Sequence, residues 1–346
     1  MKILYFGNKL SKYGYSPTVL ENLSRLLQSD QIEVHTSSDK KNKLMRLLDM
    51  LVFFFQERKG TDVILIDTYS TLNFWYAVMI GWLSSLYGIK YIPILHGGKL
   101  PDRLDRSVVI SRKLFMRSAV NVAPSSYLYE EFCKRGYHNT VIIPNFIDEG
   151  NYKPQQRTCI DVPRLLWVRS FSEVYNPTMA IKVLSEVRKT YPTASLLMIG
   201  GSAGGEGVFK QTQLLAESLG LSEAVEFTGK LTKSKWIARS ADCNIFINTT
   251  NVDNTPVSVI EAMALGLPVV STNVGGIPYG IAVEDNGLLV EAGNMEAMVK
   301  SIVRIAEDNA LCARLSQTAI NASRKYYSTS VKESWTTLLM QMVECK

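Results

Sequence analysis

Histidine is scarce in these 346 residues: His35, His96 and His138 are the only three. They are scattered too widely for a cage of imidazoles around a metal. The five cysteines (Cys133, Cys159, Cys243, Cys312 and Cys345) are odd in number and lack CxxC spacing. They argue against a disulfide framework or a zinc site and point to a reducing cytoplasm. No basic-then-apolar leader opens the chain, so no secretory signal is expected; Met1-Lys2 leads straight into a strand. The apolar stretch Leu72–Leu86 is interrupted by Asn73, Gly81, Ser84 and Ser85. It falls short of the roughly 20 residues of a membrane span and reads as a buried helix. Gly7 starts no GxGxxG, which leaves a hydride-transferring dinucleotide enzyme poorly supported. Short-period repeats and low-complexity tracts are absent.

What is present is ordinary globular material, 46% hydrophobic and 20% charged with a formal charge of +6. The length suggests about two domains. Short Val- and Ile-rich runs at 2–7, 62–67, 90–95, 119–123 and 141–144 alternate with helical patterns such as 17–28. This is the βαβ rhythm of a parallel sheet. A polar, proline-bearing stretch at about 148–163 reads as a linker. The rhythm then restarts, with strands at 164–168, 195–199, 225–228, 244–248, 268–271 and 288–290. Helices are expected at 177–190, 209–219 and 233–240, and a last one at 329–343. The expectation is α/β, with two Rossmann-like, doubly wound domains, 1–153 and 154–328.

The most telling segment is DNTPVSVIEAMALGLPVVSTNVGGIP, residues 253–278. Thr255 and Pro256 resemble an N-cap and first helical residue, and Gly266 a stop before the strand that starts at Val269. The helix between them has almost no polar face, yet it carries Glu261. A buried carboxylate needs partners, either the protein's own donors or the hydroxyls of a ligand. Asp253 lies at the mouth of the loop feeding this helix, whose N-terminal N–H groups suit a phosphate. Hydroxyl acceptors beside an anion seat fit a sugar nucleotide.

This segment resembles the donor-site signature of retaining glycosyltransferases of family 4, which have the GT-B fold. The match runs through Asp253, Glu261-Ala262-Met263-Ala264, Gly266, Pro268-Val269-Val270 and Gly275-Gly276; the family more often has Glu at the position of Asp253. The resemblance implies two domains facing a central cleft and a last helix crossing back onto the first. It implies that Glu261 takes the nucleotide's ribose hydroxyls and that Asp253 faces the transferred sugar. It also implies that backbone amides of the turn Asn254-Thr255-Pro256-Val257-Ser258 meet the diphosphate. Phe227-Thr228-Gly229-Lys230-Leu231 resembles the loop that reads the base through main-chain groups. Gly200-Gly201 ends a strand where open α/β sheets bind ligands.

Relatives often place Gly-Arg, then Lys-Gly, after the first strand of the second domain. Here the run is Trp167-Val168-Arg169-Ser170-Phe171-Ser172-Glu173-Val174-Tyr175, with Ser170 and Tyr175 at the two basic positions. Either the strand has ended and Arg169 reaches the phosphates, or Tyr175 and Asn176 substitute hydrogen bonds for the missing lysine; pairing of Arg169 with Glu173 is the structural alternative. In the first domain, His96 closes a strand and is followed by Gly97 and Gly98. It resembles a family histidine beside the reacting sugar, and Gly14 falls in what resembles an acceptor-side loop.

The expected activity is therefore transfer of a sugar from a UDP- or GDP-sugar to a glycan or lipid-linked acceptor, in bacterial surface polysaccharide or lipopolysaccharide assembly. Neither a metal cofactor nor a nucleic-acid partner is expected. A nucleotide-sugar epimerase on the same fold, or a transferase-like subunit that only binds, remain as alternatives. Basic residues flank apolar ones at Lys40–Lys59 and Lys99–Arg117. These segments suit either a peripheral contact with an anionic membrane from the cytoplasmic side or core helices with solvated edges.

Overall fold

Strand and helix alternate in two separate runs, and each run closes on its own parallel sheet. The computed structural model describes residues 1–13, 17–202, 206–281 and 284–344. The chain divides into two units, Met1–Asn145 together with Ser328 onward, and Phe146–Tyr327.

The first unit contains β1 (Lys2–Phe6), α1 (Val19–Leu27), β2 (Glu33–Ser37), α2 (Lys43–Glu57), β3 (Val63–Tyr69), α3 (Phe74–Leu86) and β4 (Lys90–His96). These are followed by α4 (Leu100–Arg106), α5 (Val108–Phe115), β5 (Asn121–Ala123), α6 (Ser126–Lys134) and β6 (Thr140–Ile142). Strand order is β2-β1-β3-β4-β5-β6, all parallel. The step from β1 to β2 runs one way across the sheet and every later step runs the other. Right-handed crossovers therefore put α1 on one face and α2 to α6 on the other. Leu4, Phe6, Ile64 and Ile66 meet Phe54, Phe74 and Phe115 on that second face. Strand β2, EVHTS, was not foreseen: an edge strand only partly buried needs no apolar alternation. Helix α1 starts at Val19, two residues after the expected Pro17. Thr18 caps it in a capping box with Glu21.

The second unit contains β7 (Arg164–Val168), α7 (Pro177–Thr190), β8 (Ser195–Ile199), α8 (Glu206–Ser218), β9 (Val225–Gly229), α9 (Lys233–Ser240) and β10 (Ile245–Asn248). It continues with α10 (Val257–Ala264), β11 (Val269–Thr272), β12 (Leu288–Val290), α11 (Met295–Glu307) and α12 (Asn309–Ser323). Its sheet order is β12-β11-β10-β7-β8-β9, again all parallel. Alternate residues of β7 and β10 serve two cores: Leu165, Trp167, Ile245 and Ile247 face one, Leu166 and Phe246 the other. The 148–163 stretch is not a free linker. Tyr152 and Ile160 are buried, Gln155 N–H donates to the Leu265 carbonyl (3.2 Å) and Arg157 N–H to Ser316 Oγ (2.8 Å). The last helix, α13 (Ser328–Glu344), packs on α1, and Lys90 Nζ donates to the Met342 carbonyl (2.7 Å).

Candidate functional site

At the carboxyl ends of β7 to β11, five loops of the second unit are tied together by backbone. Arg169 N–H donates to the Ile199 carbonyl (3.0 Å), Phe171 N–H to Gly201 (2.9 Å), and Gly200 N–H to Gly229 (3.0 Å). Asn251 N–H reaches the Val174 carbonyl (2.7 Å), and Gly276 N–H that of Asp253 (3.2 Å). The approaches are close enough to demand glycine. A Cβ on Gly200 would strike the Arg169 carbonyl; on Gly275 and Gly276 it would strike those of Asp253 and Asn254. Gly201 lies against the stem of Lys230, and Leu231 packs into the core beneath.

Strand β7 has ended by Val168, so Arg169 stands on the loop, as the first of the two readings required. Its guanidinium pairs with Asp253, not Glu173, and lies 4.8 Å from the ring centre of Tyr175. Burial pushes the Asp253 carboxyl above its usual range, against the opposing pull of Arg169 and the Asn254 N–H (2.8 Å). Three buried polar atoms here have no partner among the described residues: Arg169 Nε, Thr255 Oγ1 and Ser258 Oγ. Thr255 and Ser258 flank the amino end of α10, and Arg169 is tied to the loop before it through Asp253. Pro256, not Thr255, is its N-cap, and no side chain caps the first turn; Val257 is the first helical residue. Asn254 and Ser258 are buried beside it.

Glu261 lies one turn along α10 and is 3% exposed. The protein's own donors meet it: Tyr152 Oη at 2.8 Å and Lys233 Nζ, both at Oε1. Oε2 carries no hydrogen bond among the described residues. Desolvation pulls Lys233 down to about 8, and its ammonium also lies 5.5 Å from the Trp236 ring centre. Neither Tyr152 nor Lys233 was singled out from the sequence. Tyr152 sat in a stretch that read as linker, and Lys233, two residues past the Gly229–Leu231 loop, lies 28 residues from Glu261 with Lys235 and Arg239 nearer in the chain, so nothing local singled it out.

In the first unit, His96 ends β4 and is followed by Gly97 at φ +86°, an exposed position, and by half-buried Gly98. The ring of His96 is buried and stacks on Tyr69 at 4.8 Å. Its Nε2 is 2.8 Å from Asp67 Oδ1, which also accepts from Tyr5 Oη at 2.8 Å. Asp67 Oδ2 is buried without a partner among the described residues. Asp67 was missed, although a lone acid at the end of an apolar strand is the same signal that marked Glu261. Gly14 lies outside the described residues. Among the described residues, no three His, Cys, Asp or Glu side chains converge as metal ligands would.

Residues 151–322 match the family described as glycosyl transferases group 1. An uncharacterized glycosyltransferase of Haemophilus influenzae is 26% identical over 215 residues, 61% of this chain and 58% of that protein. The lipopolysaccharide core biosynthesis glycosyltransferase LpsE of Rhizobium meliloti is 26% identical over 176 residues, 51% of this chain and 50% of that protein. The chain thus spans little more than half the length of these relatives. The Anabaena protein HepE, solved with UDP and glucose, superposes with a TM-score of 0.75 at 19% identity, covering 99% of this chain and 100% of that one. The second unit accordingly carries the glycosyl transferases group 1 match, on a GT-B-type pair of Rossmann-like folds.

Proposed function

We propose that this chain is a retaining glycosyltransferase that moves a hexosyl group from a UDP- or GDP-sugar to a glycan or lipid-linked acceptor. The setting proposed is bacterial surface polysaccharide or lipopolysaccharide assembly at the cytoplasmic face of the membrane, to which the similarity to LpsE lends support. The observation that carries the reading is the set of buried atoms unpartnered among the described residues: Thr255 Oγ1 and Ser258 Oγ at the uncapped start of α10, and Arg169 Nε on the guanidinium that pairs with Asp253 of the loop before it. Buried donors without acceptors are costly, and a diphosphate supplies what they lack.

In this scheme Arg169 and the α10 amino end stabilise the charge on the departing diphosphate. Glu261 receives the ribose hydroxyls, with Oε2 open and Oε1 shared with Tyr152 and Lys233. Asp253 orients the sugar, Gly200, Gly201, Gly229, Lys230 and Leu231 border the base, and His96 is a further residue of the transfer. The acceptor hydroxyl attacks the oxocarbenium-like sugar from the face the diphosphate leaves. No metal is invoked, because Arg169 and the helix end provide the positive charge.

The test is nucleotide release from UDP- and GDP-sugars with and without saccharide acceptors. Release with wild type and its loss, at least tenfold, in Glu261→Ala is the expected outcome. Nucleotide binding without turnover would favour the binding-subunit reading, which the engagement of Arg169 by Asp253 supports. No nucleotide binding at all would overturn both.

A further inference from the structure

Helices α2, α3 and α5 share one face of the first sheet, with α3 in contact with both of the others. The outward sides of α2 and α3 are largely apolar, and that of α5 mixes apolar residues with Arg112 and Lys113. On α3 and its leading turn, Leu72, Trp75, Trp82 and Leu86 are exposed at helical spacing, and half-buried Met79 fills the gap. On α2 the exposed apolar residues are Leu44, Met45, Leu48, Val52 and Phe55. On α5 and just beyond it they are Val108, Val109 and Met116. The stripes join: the Phe55 ring is 6.1 Å from that of Tyr87, and the Arg58 guanidinium covers both rings at 5.4 and 5.0 Å. A water-facing surface of this size marks an interaction site.

Charge says what kind. No charged residue occurs from Thr68 through Ile89. The rim is cationic: Lys41 and Lys43 precede or open α2, Arg58 and Lys59 follow it, and Arg112, Lys113 and Arg117 lie on or just after α5. The acids of α2 are already engaged, Asp49 by Ser37 and Lys40, Glu57 by Lys2 and His35. A second copy of the chain would bring like charges together. An anionic lipid surface meets both the apolar centre and the basic rim, with tryptophans at the depth where their amphipathic rings settle. At 13 residues α3 is too short to span a bilayer and would lie in its plane.

We propose that the α2–α3–α5 face of the first unit docks on an anionic bilayer, seated by Trp75, Trp82 and Leu86 and held by the basic rim. This names a surface for the membrane contact expected from the sequence and does not depend on the transferase reading, since vesicle binding needs neither donor nor acceptor. The structure also supplies the readout. Trp75 and Trp82 are 43% and 60% exposed, whereas Trp167, Trp236 and Trp335 are 0%, 5% and 2% exposed.

The full chain is floated with phosphatidylglycerol–phosphatidylcholine vesicles and with phosphatidylcholine alone, and its tryptophan emission is followed with brominated lipids. Expected are preferential binding to anionic vesicles, a blue shift, and bromine quenching. Trp75→Ser/Trp82→Ser should lose at least tenfold in vesicle affinity with its thermal midpoint kept. Arg112→Glu/Lys113→Glu should lose severalfold per charge, and the loss should shrink in salt. Binding to neither vesicle, or binding with unchanged emission, overturns the proposal. So does a concentration-dependent dimer that Trp82→Ser dissolves, or a thermally intact double serine variant that still binds. Nucleotide release by the same variants without vesicles separates the two readings, because lost docking with retained release leaves the transferase standing.

Discussion

Among the described residues, Asp67 accepts two hydrogen bonds on one oxygen and none on the other. A carboxylate can only accept, so His96 must donate from Nε2, which fixes Nδ1 as the nitrogen left for a ligand. Asp67→Asn puts an amide there that can donate to Nε2 and reverse the tautomer. Steady-state kinetics should then show kcat reduced about tenfold or more with donor KM little changed. Gly7 sits so close that a Cβ would press on Asp67 Oδ2, so Gly7→Ala should reproduce part of that loss. In the second unit Arg169 and Asp253 are each about 85% buried, at 15% side-chain exposure. Arg169→Gln strands the carboxylate and should cost about 3–5 kcal/mol in urea unfolding, besides its effect on nucleotide affinity. Tyr152 escaped the sequence reading because a partner distant in the chain leaves no local pattern; Glu261, isolated in an apolar helix, did not, and Asp67 carried the same signal at the end of an apolar strand.

Among the elements, α10 and the Gly275-Gly276 turn act together. The two glycines let the chain lie against the carbonyls of Asp253 and Asn254, which sets the loop before α10. Gly276→Ala should displace that loop, weakening nucleotide binding at least tenfold while circular dichroism stays near wild type. Periodicity made the buried strands and α10 legible, since Val- and Ile-rich runs of a parallel sheet are continuous and apolar. It failed at β2, where an edge position tolerates Glu, His and Thr. It also misplaced the start of α10 by one residue: Thr255-Pro256 satisfies the usual capping pattern, yet Pro256 itself takes the extended cap conformation (φ −69°, ψ 111°) and leaves Thr255 Oγ1 unused. The polar 148–163 stretch read as linker because its partners, Leu265 and Ser316, lie more than a hundred residues away.

For the whole molecule, buried weak acids set an alkaline limit. Burial pushes Tyr91 in the first unit and Tyr326 in the second up to about 12, Cys312 up to about 11 and Cys243 to about 12. Unfolded thiols and phenols ionise near pH 9 and 10, so between there and about 12 these four groups hold more protons in the folded chain than in the unfolded one. Stability contributed by these groups is whole below pH 9 and drains away as pH rises. The denaturation midpoint should be lower at pH 11 than at pH 9, and Tyr326→Phe should reduce that difference.

Helix α13 carries that arrangement into the history of each molecule. Val331, Trp335 and Leu339 of this helix are buried, in the unit that begins at Met1. A ribosome delivers them only after residues 146–327 have emerged. The nascent first unit therefore waits with that patch uncovered, while the second already has its whole sequence at hand. Order of assembly is written into the connectivity: the part made first is finished last.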